Sequence, residues 1–62
     1  MKVEIDGQIH LFERGMPAFR LLEKLALSPE SHLVVVNGKL VTGDQRVEVR
    51  DSVKIVRVIS GG

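Results

Sequence analysis

Two dipeptides punctuate this chain more forcefully than anything else in it. Asp6-Gly7 and Asn37-Gly38 each lie between short runs of β-type residues. A type I′ turn needs positive φ at both central residues, so Asp-Gly or Asn-Gly in that setting is the strongest short-range hairpin signal. Residues 2–6 and 8–12 therefore read as one hairpin. The almost wholly β-branched run from His32 to Val36 turns back through Lys39-Leu40-Val41 as a second. Between the two, Ala18, Leu21, Leu22 and Leu25 recur at i, i+3, i+4 and i+7, the stripe of an amphipathic helix. Arg20, Glu23 and Lys24 take its solvent side.

Pro17 suits the first helical position, where a missing N–H costs nothing. Ser28-Pro29 is the expected stop. No Ser, Thr, Asp or Asn precedes Pro17, so the N-cap is poor. Val47 and Val49 alternate with charges too briefly to define a strand. The last strand runs from about Ser52 to Ile59, with Val53 and Ile55 inward. A single helix between two hairpin-like units must cover one face of a mixed sheet. The expected class is α+β, with four to five strands and one helix packed across one face.

Side-chain register follows from the turns. A tight turn at Asp6-Gly7 pairs Ile5 with Gln8, Val3 with His10 and Met1 with Phe12, placing Val3, Ile5 and Phe12 in the core. A bulge would flip one strand and bring Ile9 and Leu11 inward instead; the tight turn is favoured. In the second hairpin Val34, Val36 and Val41 share one face, and Leu33, Val35 and Leu40 the other. Leu21, Leu22, Leu25, Val34, Val36 and Ile55 are the expected buried set. Ile9, Leu11, Leu33, Val35, Leu40 and Val56 then lie opposite the helix. A contiguous apolar patch on so small a protein marks a partner surface, with Arg57 as a contact at its rim.

Sixty-two residues make one domain. A chain of this size buries only about 60% of its unfolded surface, leaving little material to wall a catalytic cleft. It has no cysteine, which removes disulfides, thiolate catalysis and zinc–thiolate sites and is compatible with a cytoplasmic setting. No apolar run approaches the length of a membrane span. Nine basic against eight acidic residues give a net charge of +1, without the concentrated basic face of a nucleic-acid groove. Phe12 and Phe19, the only aromatics, both sit in apolar patterns. His10 and His32 have no ligand-spaced partners and read as strand residues, so no metal site is expected. Glu48 and Asp51 read as solvent residues at strand ends rather than as an acid–base pair. No catalytic constellation emerges, and the chain is expected not to be an enzyme.

The ending is the candidate site. The β-branched run reaches Ile59 and is followed by Ser60-Gly61-Gly62. Glycine has no side chain to bury and the most backbone freedom to lose, so a terminal pair cannot hold a packed position. The expectation is a single domain over 1–62 with a slim, flexible C-terminal tail from about residue 59. Ile59 marks the end of order, Ser60 and Gly61 keep the tail thin, and the α-carboxylate of Gly62 is the reacting group.

These features together resemble the ThiS/MoaD group of ubiquitin-like sulfur carriers, in particular the short thiamine-type carrier. The resemblance spans nearly the whole chain. It runs through Lys2-Val3-Glu4-Ile5-Asp6-Gly7, Gly15, Leu21-Leu22-Glu23-Lys24-Leu25, Val34-Val35-Val36-Asn37-Gly38, Val53-Lys54-Ile55-Val56 and Ile59-Ser60-Gly61-Gly62. Met16-Pro17 departs from the hydroxyl residues often found before that family's helix, and the segment from Thr42 to Asp51 is short.

The resemblance implies a ubiquitin-like β-grasp and a role as protein co-substrate. An E1-like adenylyltransferase of the ThiF/MoeB type would use ATP to adenylate Gly62. Attack by a persulfide sulfur would then leave a thiocarboxylate for an acceptor synthase of the thiazole synthase type, most naturally in thiamine biosynthesis. No bound cofactor is implied, nor a nucleic-acid or membrane partner, and the free protein is expected to be a monomer. Three alternatives stay open: a modifier joined to lysine amines through Gly62, a carrier for molybdopterin, cysteine or tRNA thiolation, and a plain binding domain.

Overall fold

A computed structural model describes residues 1–59. The expected tail residues Ser60, Gly61 and Gly62 lie outside them. Along the chain come β1 (Lys2–Ile5), β2 (Gln8–Leu11), β3 (Met16–Pro17), α1 (Ala18–Lys24), β4 (His32–Val36), β5 (Lys39–Val41), β6 (Arg46–Val47) and β7 (Ser52–Arg57). Five strands form one sheet in the order β2-β1-β7-β4-β5, and β3 and β6 pair separately. β1 and β7 are parallel; the other pairings are antiparallel. The mixed five-stranded sheet with one helix is a ubiquitin-like β-grasp, the expected fold.

Both turns have the backbone that their residues predict. Asp6 and Gly7 lie at φ 49° and 79°, Asn37 and Gly38 at 52° and 83°. The first hairpin keeps the tight register, Ile5 opposite Gln8 and Val3 opposite His10. It is closed at its open end by the Phe12 N–H on the Met1 carbonyl at 2.9 Å and the Met1 ammonium on the Phe12 carbonyl at 2.7 Å. The Asn37 amide staples the second turn to β7: its Oδ1 accepts from the Ser52 N–H at 3.0 Å, and its Nδ2 donates to Asp51 at 3.0 Å.

The helix is shorter at both ends than the expected span from Pro17 to Ser28-Pro29. Pro17 is the N-cap in extended backbone (φ −62°, ψ 150°), not the first helical residue, and no side chain caps the helix. The orphan donors of the first turn find carbonyls on the following loop instead: Ala18 N–H on Gln45 and Phe19 N–H on Gly43, each at 2.9 Å. At the other end the chain leaves the helix after Lys24, four residues before Ser28-Pro29. Ala26 adopts φ 57°, Ala26 N–H bonds Glu23 O at 3.0 Å, and Leu27 N–H bonds Leu22 O at 2.8 Å. That hydrogen-bond pair is a Schellman motif, which satisfies the last carbonyls and turns Leu27 back onto the core.

Val3, Ala18, Leu21 and Val47 are wholly buried, with Leu22, Val34, Val36, Val53, Ile55 and Met16 around them. Leu25 is a correction. It stands at the C-cap, half-buried, and packs against the core from its edge together with Ile5, Phe12 and Leu27. Met16 and Val47 were not expected to be core residues. They face each other across the β3–β6 bridge, where two-residue strands are too short to show any periodicity. β7 also ends at Arg57 rather than Ile59. Among the described residues no helix is long and apolar enough to cross a membrane.

Candidate functional site: the root of the tail and the outer sheet face

β7 is the central strand, held by β1 on one side and β4 on the other. Such a strand is pinned by two ladders, so whatever follows it starts from a fixed point. The last anchor is the Val58 N–H, which donates to the Ser31 carbonyl at 2.8 Å. Ser31 is itself braced by a turn, its N–H on Ser28 O at 3.2 Å and its Oγ 3.1 Å from His32 Nδ1. His32 Nδ1 also lies 2.9 Å from the Ser28 carbonyl. A carbonyl only accepts, so Nδ1 carries the proton that bridges them. One residue beyond Val58, Ile59 is 92% exposed. The chain leaves the body between these two residues.

Arg57, expected at the rim of the outer patch, is placed differently. The β4–β7 register sets it opposite His32, in line with Val53 and Ile55 and therefore on the helix side of the sheet. There it borders a shallow cleft with Ser31, Val58 and Ile59, and it forms no ion pair among the described residues. It flanks the tail root, not the outer face.

The other six expected residues do lie opposite the helix, but not as one patch. Pairing across the sheet produces a row Ile9, Glu4, Lys54, Val35, Leu40. Glu4 and Lys54 occupy its middle, both well exposed and 4.0 Å apart. They divide the apolar surface in two. Leu33, Val35, Leu40 and Val56 adjoin one another on β4, β5 and β7, with Leu33 directly opposite Val56; Val35 is half-buried and the rest are exposed. Ile9 and Leu11 stand alone on β2. At 4.7–4.9 Å per strand, Ile9 is about 14 Å from Val35.

Phe19 is the residue that sequence reasoning missed. It is exposed on α1 and lines an apolar groove with Leu40, Val41 and Pro29, its ring 5.6 Å from the Arg20 guanidinium. Its position off the 18, 21, 22, 25 stripe was the available signal. Asp51 also does more than face solvent. Its Oδ2 accepts from the Glu48 N–H at 2.8 Å, and this bond, aided by the Asn37 amide, holds its carboxyl below the usual range. A hydrogen bond from Thr42 lowers Asp44 in the same way. Glu48 pairs with Arg46 at 3.1 Å. No group of three or more metal-ligating side chains occurs among the described residues.

Residues 13–59 match the family model of Small archaeal modifier protein 2. The chain belongs to that family. The match covers most of the chain, from the connector after β2 to the last exposed residue of the tail root. Solved structures agree on the fold. The crystal structure of the thiamine biosynthesis protein ThiS from Geobacter metallireducens superposes with a TM-score of 0.71 at 22% identity, covering 100% of both chains. The solution structure of a thiamine biosynthesis protein from the same organism gives 0.66 at 19% identity, covering 100% of this chain and 88% of the other. The ThiS/MoaD likeness drawn from the sequence therefore holds for the fold.

Proposed function

We propose that this modifier-family protein is a sulfur carrier that presents the Gly62 α-carboxylate to an activating enzyme. The observation that carries the reading is the Val58–Ser31 anchor followed at once by a fully solvated Ile59. It supports the reading because the chain is held up to Val58, the last hydrogen-bonded residue before Ile59. A carboxylate resists nucleophiles, because its charge repels them and its oxygen is a poor leaving group. An E1-like adenylyltransferase of the ThiF/MoeB type converts it with ATP to an acyl adenylate, releasing pyrophosphate. A persulfide then displaces AMP to form an acyl disulfide. A second thiol breaks that S–S bond, becoming a disulfide itself and leaving the thiocarboxylate. The protein serves as co-substrate, and ATP binds to the partner. The ThiS neighbours favour a thiazole synthase as acceptor, in thiamine biosynthesis.

The Leu33–Val35–Leu40–Val56 surface is the docking face for the activating enzyme. It is apolar, exposed and carried partly by the strand that launches the tail, so docking there fixes the tail's origin relative to the nucleotide. Arg57 and the Ser31 cleft border the entry point from the other side.

The family match favours a second reading, in which a lysine amine attacks the same adenylate-derived intermediate to give an isopeptide bond. Both share the first step and part at the nucleophile. The deciding experiment incubates the protein with its activating enzyme, ATP and a sulfur donor. Pyrophosphate release reports activation, and intact mass reports replacement of one oxygen by sulfur. Activation with lysines bearing the Val58-Ile59-Ser60-Gly61-Gly62 remnant left by cleavage after Arg57, and no thiocarboxylate, selects the modifier. No pyrophosphate release from any activating enzyme of this type would falsify both.

A further inference from the structure

Asn37 is the only asparagine of the chain, and a glycine follows it. That pairing has a chemistry of its own. The main-chain nitrogen of the next residue can attack the side-chain amide carbon, and glycine, with no side chain, hinders the approach least. Both residues are exposed. A Cβ added to Gly38 would meet nothing within 4 Å, and the Gly38 N–H has no hydrogen-bond partner among the described residues. Water and base therefore reach the attacking nitrogen.

The folded turn nevertheless holds the reactants apart. Asn37 and Gly38, at φ 52° and 83°, form a type I′ turn, whose first central residue has ψ of about 30°. At that angle the Asn37 Cβ and the Gly38 nitrogen lie on opposite sides of the Cα–C bond. A five-membered ring needs them on the same side. It also needs Cγ to eclipse the main-chain carbon, a torsion that no staggered rotamer supplies. The side chain is held against that rotation. Its Oδ1 accepts from the Ser52 N–H and its Nδ2 donates to Asp51 Oδ1, each at 3.0 Å. Asp51 is braced in turn by the Glu48 N–H at 2.8 Å. The turn does not require this staple in order to form. Asp6-Gly7 has the same backbone, at φ 49° and 79°, and the Asp6 carboxylate makes neither hydrogen bond nor ion pair among the described residues.

We propose that Asn37 is a masked deamidation site, at which the staple to Asp51 and Ser52 sets the rate of amide loss. When the staple opens, the Gly38 nitrogen loses its proton to base and bonds to Cγ. The Cγ–Nδ2 bond breaks, and ammonia departs carrying the equivalent of that proton. Water then opens the cyclic imide at either carbonyl. One product has aspartate at position 37; in the other, isoaspartate, the main chain runs through the side-chain carbons. Neither rebuilds the staple. A carboxylate has no N–H for Asp51 and sets a second negative charge beside it. Isoaspartate lengthens a two-residue turn that fixes the pairing of Val36 with Lys39 and of Val35 with Leu40. The change is one-way, and it falls on the hairpin that carries Val35 and Leu40.

The test follows folded protein held at mildly alkaline pH. Deamidation exchanges NH for O in the intact mass, and peptide mapping separates aspartate from isoaspartate at position 37. The parent should convert slowly when folded and many-fold faster in urea. Asp51→Ala removes the acceptor of Nδ2 but keeps both turn residues. It should convert several-fold faster than the parent while its circular dichroism spectrum remains that of the folded domain. Ile55→Val is the control, because it lowers stability from within the core without touching the turn. Compared at equal distance below their melting temperatures, only Asp51→Ala should outpace the parent. A folded Asp51→Ala protein that converts at the parental rate overturns the inference. So does equal acceleration in Ile55→Val, which would place the reaction in the globally unfolded chain. A parent that converts as fast folded as in urea overturns it too.

Discussion

At the scale of single residues, three positions show how a backbone conformation or contact constrains side-chain choice. A Cβ on Gly15 would sit 2.8 Å from the Val47 carbonyl and 3.4 Å from Glu48 Cα. Both are backbone atoms, so the β3–β6 bridge would have to move. Gly15→Ala should cost about 1–3 kcal/mol, read as a lower midpoint in a urea melt. Ala26 is the opposite case. It holds φ 57° at the Schellman position, where a Cβ costs roughly 1–2 kcal/mol and glycine is at ease. Ala26→Gly should therefore raise the melting temperature. Asp51 sets a pH response. Its folded-state pKa is depressed below 3.8 by the Glu48 N–H and then by Asn37, so its contribution is present above that value and lost as pH falls through the lower folded pKa. Asp51→Asn should flatten, but not abolish, the acid side of a melting-temperature profile, because Asp44 is shifted in the same sense.

Among the elements, those that were legible owed it to chemistry that is local in the chain. Both type I′ turns, the first-hairpin register and the buried face of the helix follow from positive φ and from periodicity alone. What the sequence did not show depends on contacts between distant segments. The helix N-terminus is capped by Gly43 and Gln45, more than twenty residues on, so no nearby residue could announce it. Met16 and Val47 become core only because their strands meet. Ile9 and Leu11 were rightly placed outside, but the charged pair dividing them from Val35 needed the strand order, in which β7 lies between β1 and β4. For the site, the side of the sheet that carries Leu33, Val35, Leu40 and Val56 was legible from alternation, whereas the end of β7 at Arg57 and the side on which Arg57 emerges were not. The helix stripe yields a sharp test. Leu22 is buried and also forms the C-terminal contact of the Schellman motif, so Leu22→Ala should cost about 2–5 kcal/mol, a large share of the roughly 5–15 kcal/mol that holds a domain together. Calorimetry showing an unchanged transition would contradict the packing described.

For the whole molecule, the proposed function makes the protein a ruler. One end is the docking face on β4, β5 and β7; the other is the carboxylate of Gly62; Val58, fixed to Ser31, is the point from which reach is counted. Two kinds of change should therefore separate. Val56→Asp alters an exposed side chain on the docking face, so the domain should melt like the parent while its affinity for the activating enzyme falls. Deleting Gly62 leaves that face untouched, so binding should persist. The new terminal carboxylate, however, retreats by one extended residue, about 3.3–3.6 Å. Attack on the ATP α-phosphate needs the reacting atoms within roughly 3–3.5 Å of each other, so a full residue of retreat removes the reaction. The expected pattern is weak binding with residual adenylation at high enzyme concentration for Val56→Asp. For the chain lacking Gly62 it is normal binding without pyrophosphate release. Calorimetric titration and a pyrophosphate assay on the same samples resolve the two. If the shortened chain is adenylated at the parental rate, Gly62 is not the activated residue, and the ruler must end elsewhere.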